Sequence, residues 1–444
     1  MNGRFFGKKL SSMQIVSLGF VGVILIGTLL LMLPVSSAGG EAASFHDALF
    51  TATSAVCVTG LIVKDTATYW SFFGQAVILV LIQIGGLGVV SVAALIAMIS
   101  GKNISLLQRS MLQEAISAPH IGGIVTMTGF LFKIAFAFEF AGAILLMPIF
   151  CKSYGISGVW MAIFHSVSAF CNAGFDVMGT KTGAFTSLTG HGGNPWIVLI
   201  IGGLIVVGGI GFLTWDDISE NKLHFKKYRV QSKAILAATA ILIAVPTALF
   251  FFEEFSALPI KERICLSLFQ AITPRTAGFN TVDLSAMGGV GHVCIAILML
   301  IGGSPGSTAG GMKTTTLVVL VAAANSVFRR KRDVELFDRR IEDSVVRSAA
   351  TLMLLYLTLP GISAMAISLV EQLPIGVCLF ETVSAIGTVG LTLGITPTLG
   401  VFSHAILIVL MFWGRVGGLT LMYAAISSRV VDVSQSPVEK IIVG

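Results

Sequence analysis

PIGVCLFETVSAIGTVGLTL, residues 374–393, decides how the rest of the chain is read. It opens as an apolar run too short to cross a bilayer: a spanning helix takes about 20 apolar residues, and runs of about 10–14 are more often re-entrant or buried. It closes on Thr388-Val389-Gly390-Leu391, a glycine turn at the end of a half-length helix. Alone, that turn could equally join two core helices. Three other stretches share its grammar: FTATSAVCVTGL (residues 50–61), FHSVSAFCNAGF (164–175) and FQAITPRTAGF (269–279), beside FETVSAIGTVGL (380–391). Each runs from Phe through a small, hydroxylated segment to a glycine followed by Leu or Phe. The glycines fall at 60, 174, 278 and 390, separated by 114, 104 and 112 residues. A repeat of near-constant period sets the architecture before any other signal.

Hydrophobic residues make up 55% of the 444 and charged residues 11%, against about 25% charged in a soluble domain. The chain therefore reads as one membrane domain. Six cysteines are scattered without a CxxC pair, so no disulfide or metal framework is expected. Cys57 and Cys171 read as small packing residues. The first apolar run, residues 15–33, is long enough to span and lacks the cleavage pattern of a secretory signal.

Each repeat reads as outer helix, half-helix, turn and inner helix. The result is an all-α integral membrane protein of four M1–pore helix–M2 repeats, eight transmembrane helices around a pseudo-fourfold pore. Repeat one covers residues 1–100 and repeat two 124–218. Repeat three covers 234–327 and repeat four 346–426. Linkers 101–123, 219–233 and 328–345 join them, and a tail 427–444 follows. Residues 104–116 are expected along the cytoplasmic surface, and 176–194 as an extracellular loop. Inner spans are expected at 72–99, 195–215 and 402–426, with a broken one at 290–327. Of 28 Lys and Arg, 19 fall in expected cytoplasmic segments and 6 outside. That bias puts both termini in the cytoplasm and all four turns on the outer side; the formal charge of +6 thus reads as topology rather than nucleic-acid binding.

Four half-helices aimed at one axis would each present about half a negative charge there, favouring a cation. The turns would offer the backbone carbonyls of Val58, Thr59 and Gly60; Asn172, Ala173 and Gly174; Thr276, Ala277 and Gly278; and Thr388, Val389 and Gly390. Glycine permits the backbone angles that line carbonyls along an axis. No turn carries a carboxylate, which points to a carbonyl-lined site for a weakly hydrated monovalent ion. Arg275 and Glu381 read as filter support: Arg275 bracing carbonyls or a carboxylate such as Glu381, or tuning ion entry.

The third inner segment carries IGGSPGSTAGGMKTTT, residues 301–316. Irregular backbone at that depth is tolerated only where it lines a cavity or is buried in protein. Gly302, Gly303, Ser304, Pro305, Gly306, Ser307, Thr308, Ala309, Gly310 and Gly311 therefore read as a gating loop, the alternative being a wide hinge in a packed helix. Lys313 follows the loop and Arg415 lies in the last inner segment. Intramembrane cations are costly and point to function; Arg415 is expected to hold the loop through its carbonyls or to repel cations. Lys133 and Glu139 read as a snorkelling or paired couple. Only one inner helix reads as clearly broken. QIGGLG (83–88), VGGIG (207–211) and the glycines at 414, 417 and 418 read as close-packing devices.

The TVG turn resembles the filter of potassium channels. The whole chain resembles the Trk/Ktr/HKT superfamily of K+ transporters, most like the Ktr membrane subunit KtrB. The resemblance is carried by PRTAGFN (274–280), QIGGLG, FCNAGF (170–175), GSTAGGMKTTT (306–316) and GRVGGLT (414–420). It departs at Gly418, where Ktr subunits commonly have proline, and Pro305 and Gly306 are as in Trk versions. It implies K+ as cargo, Na+ dependence as in many members, and gating roles for the loop and Arg415. It also implies a homodimer with one pore per protomer in a bacterial cell membrane. A cytoplasmic KtrA/TrkA-type nucleotide-binding regulatory ring is implied too, with ATP or ADP on that partner and no covalently bound cofactor on this chain. The reading is a gated K+ pore; the alternative is a Na+-coupled K+ symporter with alternating access, whose relatives usually show inverted repeats and paired broken helices. An enzyme is not expected, because only His165 and Glu381 share a repeat position.

Overall fold

The computed structural model describes residues 4–5, 8–9, 11–100, 104–116, 122–222, 224–418 and 421–422. The expected tail 427–444, with Arg429 and Lys440, and Lys102 of the first linker lie outside the described residues. Four outer helices, Ser12–Leu31, Ile124–Tyr154, Val230–Phe252 and Asp343–Glu371, are long and apolar enough to cross a membrane. The first starts at a reciprocal cap: Ser11 Oγ accepts from the Gln14 amide and Gln14 Oε1 accepts from the Ser11 amide. This arrangement satisfies two amides that a helix start leaves without partners. Bare Ile26 and Leu29 on its outward face suit a lipid environment rather than water.

Inside this frame lie four half-helices, Phe45–Val56, Ser157–Phe170, Ile260–Ile272 and Ile375–Gly387, of 12 to 14 residues. Each packs on the outer helix of its own repeat. The inner helices are Phe72–Leu87, Pro195–Gly209, Gly289–Leu300 and Val401–Val416. Each also packs on the half-helix of the next repeat, and the fourth packs on the first half-helix. The repeats therefore close into a ring in chain order.

The inner helices correct the sequence reading. The expected spans 72–99 and 195–215 are not straight: Val89–Ile99 leaves Phe72–Leu87 at 97°, and Phe212–Asn221 leaves Pro195–Gly209 at 96°. Breaks are thus not confined to the third helix. The cause is glycine: Gly88 and Gly211 sit at φ +88° and +89°, and Gly417 at +97° after the fourth inner helix, where a side chain is strained. The neighbouring glycines serve packing. A Cβ at Gly85, Gly208 or Gly414 would run into the backbone carbonyl of Val56, Phe170 or Ile386, respectively, at the end of the half-helix of the same repeat. In the third repeat the segment from Ile301 to Lys313 interrupts the helix before Thr314–Phe328.

The linkers hold two further elements. Leu106–Ile116 is helical and buries Leu112 and Ile116. The basic linker contains a hairpin, Glu335–Leu336 paired with Arg339–Arg340, which the sequence reading lacked. Its two turn residues, Phe337 and Asp338, both have positive φ, the twist that suits a two-residue hairpin.

Candidate functional site

The four turns share one backbone conformation. Val58, Asn172, Thr276 and Thr388 have φ of +56°, +57°, +72° and +51°, and Gly60, Gly174, Gly278 and Gly390 lie at +89°, +68°, +78° and +93°. The residue between each pair is not in the positive region. The alternation flips successive peptide planes, so neighbouring carbonyls face one side. Three of the four leading residues are β-branched, for which positive φ is an outlier. Such strain costs about 1–3 kcal/mol per residue and persists only where the surroundings over-determine it.

The turns also meet. A Cβ on Gly60 would lie 2.6 Å from the Ala173 carbonyl oxygen, and one on Gly174 would lie 2.6 Å from that of Ala277. On Gly278 it would strike the Val389 carbonyl, and on Gly390 the Thr59 carbonyl. Each glycine thus abuts the central carbonyl of the next repeat, and the circle closes. Thr59 Oγ1, Asn172 Oδ1, Thr276 Oγ1 and Thr388 Oγ1 are buried without a protein partner among the described residues, one from each repeat.

A hydroxyl clasp fixes every turn. Ser54 Oγ accepts from the Gly60 amide and Ser384 Oγ from the Gly390 amide, both at 3.1 Å. Ser168 Oγ donates to the Phe175 carbonyl and Thr273 Oγ1 to the Phe279 carbonyl, both at 2.7 Å. The sequence reading noted hydroxylated segments but assigned these residues nothing. The signal was there: a Ser or Thr six residues before the glycine, five in the shorter third copy. Ser384→Ala strands the buried Gly390 amide, which costs about 1–3 kcal/mol. The expected result is a lower thermal unfolding midpoint in detergent; a wild-type midpoint would deny the clasp its role.

On the far side of the turns, all four glycines border one cavity of about 520 Å³. The loop after the second turn covers it: the Leu188 amide donates to the Asn280 carbonyl at 2.8 Å, and the Phe185 amide to Asp65 Oδ1 at 2.8 Å.

On the other side lies the irregular segment of the third inner helix. The Ser304 and Thr308 amides donate to the Gly209 and Gly208 carbonyls at 2.9 and 3.2 Å, and the Gly311 amide to Gly414 at 3.1 Å. Thr308 Oγ1 donates to the Phe170 carbonyl at 2.9 Å and accepts from Asn172 Nδ2 at 3.2 Å. A Cβ on Gly310 would fall 3.0 Å from Thr388 Cγ2. The segment is thus pressed against the second and fourth turns. Arg415 joins three repeats: Nη1 donates to the Thr308 carbonyl, and Nη2 to the Gly85 carbonyl and, at 2.9 Å, to Gly86. Lys313 Nζ donates to the Ala309 carbonyl at 2.8 Å. Among the described residues, two side-chain cations beneath the turns are thus met by carbonyl dipoles and by no carboxylate.

Two pairings that stood among the alternatives are absent among the described residues. Arg275 does not meet Glu381: its Nη2 reaches Thr239 Oγ1 at 3.4 Å, and Nε is buried without a partner among the described residues. Glu381 instead accepts from Thr392 Oγ1 at 2.9 Å and from Thr396 Oγ1, donors that follow it in the same repeat. Glu139 does not pair with Lys133, which is exposed. It is buried, and Gln83 Nε2 donates to its carboxylate with both oxygens in reach, at 3.0 and 3.1 Å, with the Cys171 thiol beside it. Gln83 of QIGGLG is therefore a partner for a buried acid as well as part of a packing motif.

The chain matches the family described as "TrkH: Cation transport protein" over residues 9–432. It is 39% identical to "Potassium/sodium uptake protein NtpJ" of Enterococcus hirae, over 98% of each chain. It is 40% identical to "Ktr system potassium uptake protein B" of Bacillus subtilis, over 93% of this chain and 92% of the relative. Among solved structures, the potassium transporter TrkH from Vibrio parahaemolyticus superposes with a TM-score of 0.73 at 20% identity, covering 94% of this chain and 86% of the other. At that identity the likeness speaks for the fold.

Proposed function

The chain belongs to the TrkH family of cation transport proteins, and on that premise we propose that it is the potassium-translocating membrane subunit of a Ktr/Trk-type uptake system. The filter consists of the four turns at Val58–Gly60, Asn172–Gly174, Thr276–Gly278 and Thr388–Gly390. The observation that carries this reading is the closed circle in which each glycine abuts the next repeat's carbonyl. Carbonyls in such a ring replace the water shell of a monovalent cation. The unpartnered oxygens of Thr59, Asn172, Thr276 and Thr388 suit an ion or its water immediately below.

The gate is the segment Gly302–Gly311 with Lys313 and Arg415, closed as described. The outer face bears the turns, the cytoplasmic face the basic linkers, and both termini are cytoplasmic. Two copies pair, each with its own pore, and a cytoplasmic nucleotide-binding ring sets the gate. Relatives named as Ktr system proteins support a multi-subunit system. The name of the Enterococcus relative, potassium/sodium uptake, supports Na+ as co-substrate or regulator.

Rubidium flux into proteoliposomes tests the reading. A pore passes Rb+ down its gradient with Na+ absent. Flux that requires Na+ in fixed stoichiometry would replace the pore with the symporter, and no cation flux from inserted protein would end both.

A further inference from the structure

The seam where the fourth repeat meets the first holds a pair of histidines that the transport reading leaves unused. His46 is the second residue of the first half-helix, and His404 stands in the first turn of the fourth inner helix. His46 Nε2 lies 3.1 Å from His404 Nδ1, with the ring centroids 4.8 Å apart. His404 is buried, while the His46 side chain is 28% exposed. The second ring nitrogen of His404 decides where the protons are. Its Nε2 lies 2.7 Å from the Thr396 carbonyl oxygen, an atom that only accepts. Nε2 therefore carries the hydrogen, Nδ1 of the neutral ring is an acceptor, and His46 Nε2 is the donor between the rings.

We propose that the His46–His404 pair is a proton-binding site that fastens the ring of repeats near neutral pH and parts it in acid. A proton added to His404 turns Nδ1 into a second donor, facing the donor on His46 at 3.1 Å. The hydrogen bond is then lost and like partial charges meet across the seam. The inference rests on the transport reading and adds a control to it. The seam bears on the turns because Gly390 abuts the Thr59 carbonyl at this same junction of repeats. His46 belongs to the half-helix that leads into Thr59. His404 is tied to Thr396, whose hydroxyl donates to Glu381 on the half-helix that leads into Val389. Parting the pair thus loosens the first and fourth turns relative to each other.

The charged and titratable groups around the pair are committed elsewhere. On the first half-helix, Asp47 Oδ1 lies 3.5 Å from His46 Nδ1, the nitrogen not used in the pair, and Lys64 stands 3.8 Å from Asp47 Oδ2. Beyond Asp47 lie Glu41 and Tyr69. At the end of the fourth outer helix, Glu371 Oε1 accepts from the Gly400 amide and the Ser403 hydroxyl at 2.8 and 2.5 Å. The fourth half-helix brings Glu381, held by Thr392 and Thr396. The first outer helix carries no charged residue. Among the described residues, none of these groups offers His404 Nδ1 an acceptor in place of His46. Histidine changes charge between about pH 5 and 8, so the pair is set to respond in that range.

The test is Rb+ uptake by proteoliposomes at pH 7.5 and at pH 5.0, equal on both sides of the membrane. One net hydrogen bond corresponds to about a fivefold change in an equilibrium. Wild type is therefore expected to show an apparent KM about fivefold higher at pH 5.0, with an unchanged maximal rate. His404→Gln takes up no proton, and its amide keeps a donor for Thr396 and an acceptor for His46. It is expected to hold the wild-type pH 7.5 KM at both pH values. His46→Gln is expected to do the same for a different reason, because its amide can turn an oxygen toward a protonated His404. A KM step missing from wild type would overturn the proposal, as would a full step that persists in either variant. Absence of Rb+ uptake by wild type at pH 7.5 would instead fail the transport reading itself.

Discussion

Arg415→Ala is expected to raise basal K+ or Rb+ flux at least about tenfold in proteoliposomes free of any regulatory partner. The guanidinium donates to the Thr308 carbonyl of the irregular segment and to the Gly85 and Gly86 carbonyls of the first inner helix. It thereby ties the segment to the first repeat and sets a positive charge beneath the turns. Hydrogen bonds from a charged group contribute about 1.5–3 kcal/mol each, and about 1.4 kcal/mol is a factor of ten in an equilibrium. Losing the Thr308 bond alone accounts for the tenfold. Removing the charge also lowers the barrier to another cation, an effect magnified where water is scarce. Arg415→Lys keeps the charge but cannot span both carbonyl groups, because an ammonium lacks the planar fork; an intermediate flux is expected. Unchanged or lower flux from folded, inserted Arg415→Ala would remove Arg415 from the gate.

Gly278→Ser is expected to abolish selective uptake, with apparent K+ affinity or the K+/Na+ ratio falling about a hundredfold. At φ +78° any side chain is strained, and the new Cβ would strike the Val389 carbonyl. That carbonyl belongs to the next repeat, so the damage spreads around the ring rather than staying in one turn. Strain of about 1–3 kcal/mol adds to the displacement of a carbonyl that the proposed function assigns to the ion. Gly203→Ala is the control: its Cβ would meet nothing within 4 Å, and wild-type uptake is expected. Wild-type ion competition in Gly278→Ser would refute the filter assignment.

The repeat grammar made the half-helices legible. A half-length helix stands before each of the four glycine turns, because an apolar run capped by a glycine turn admits few endings. The four leading positive-φ residues were not legible: Val, Asn and Thr give no local reason to adopt that region, and ring closure forces it. Nor were the right-angle bends at Gly88 and Gly211. In an apolar run a glycine signals packing or bending equally well, and only the partner carbonyls at Val56 and Phe170 assign Gly85 and Gly208 to packing. Of the alternatives for Arg275, the brace to Glu381 fails because Thr392 and Thr396 supply that carboxylate's donors, and a hydroxyl carries no charge to mark it in a sequence.

The central claim is that four unlike turns make one cation site. Anomalous scattering from the protein prepared in Tl+ or Rb+ tests it most directly. The predicted result is a peak on the axis ringed by the carbonyls of Thr59, Ala173, Ala277 and Val389. A cation bound only beside a carboxylate such as Glu139 or Glu381, with nothing between the turns, would contradict it.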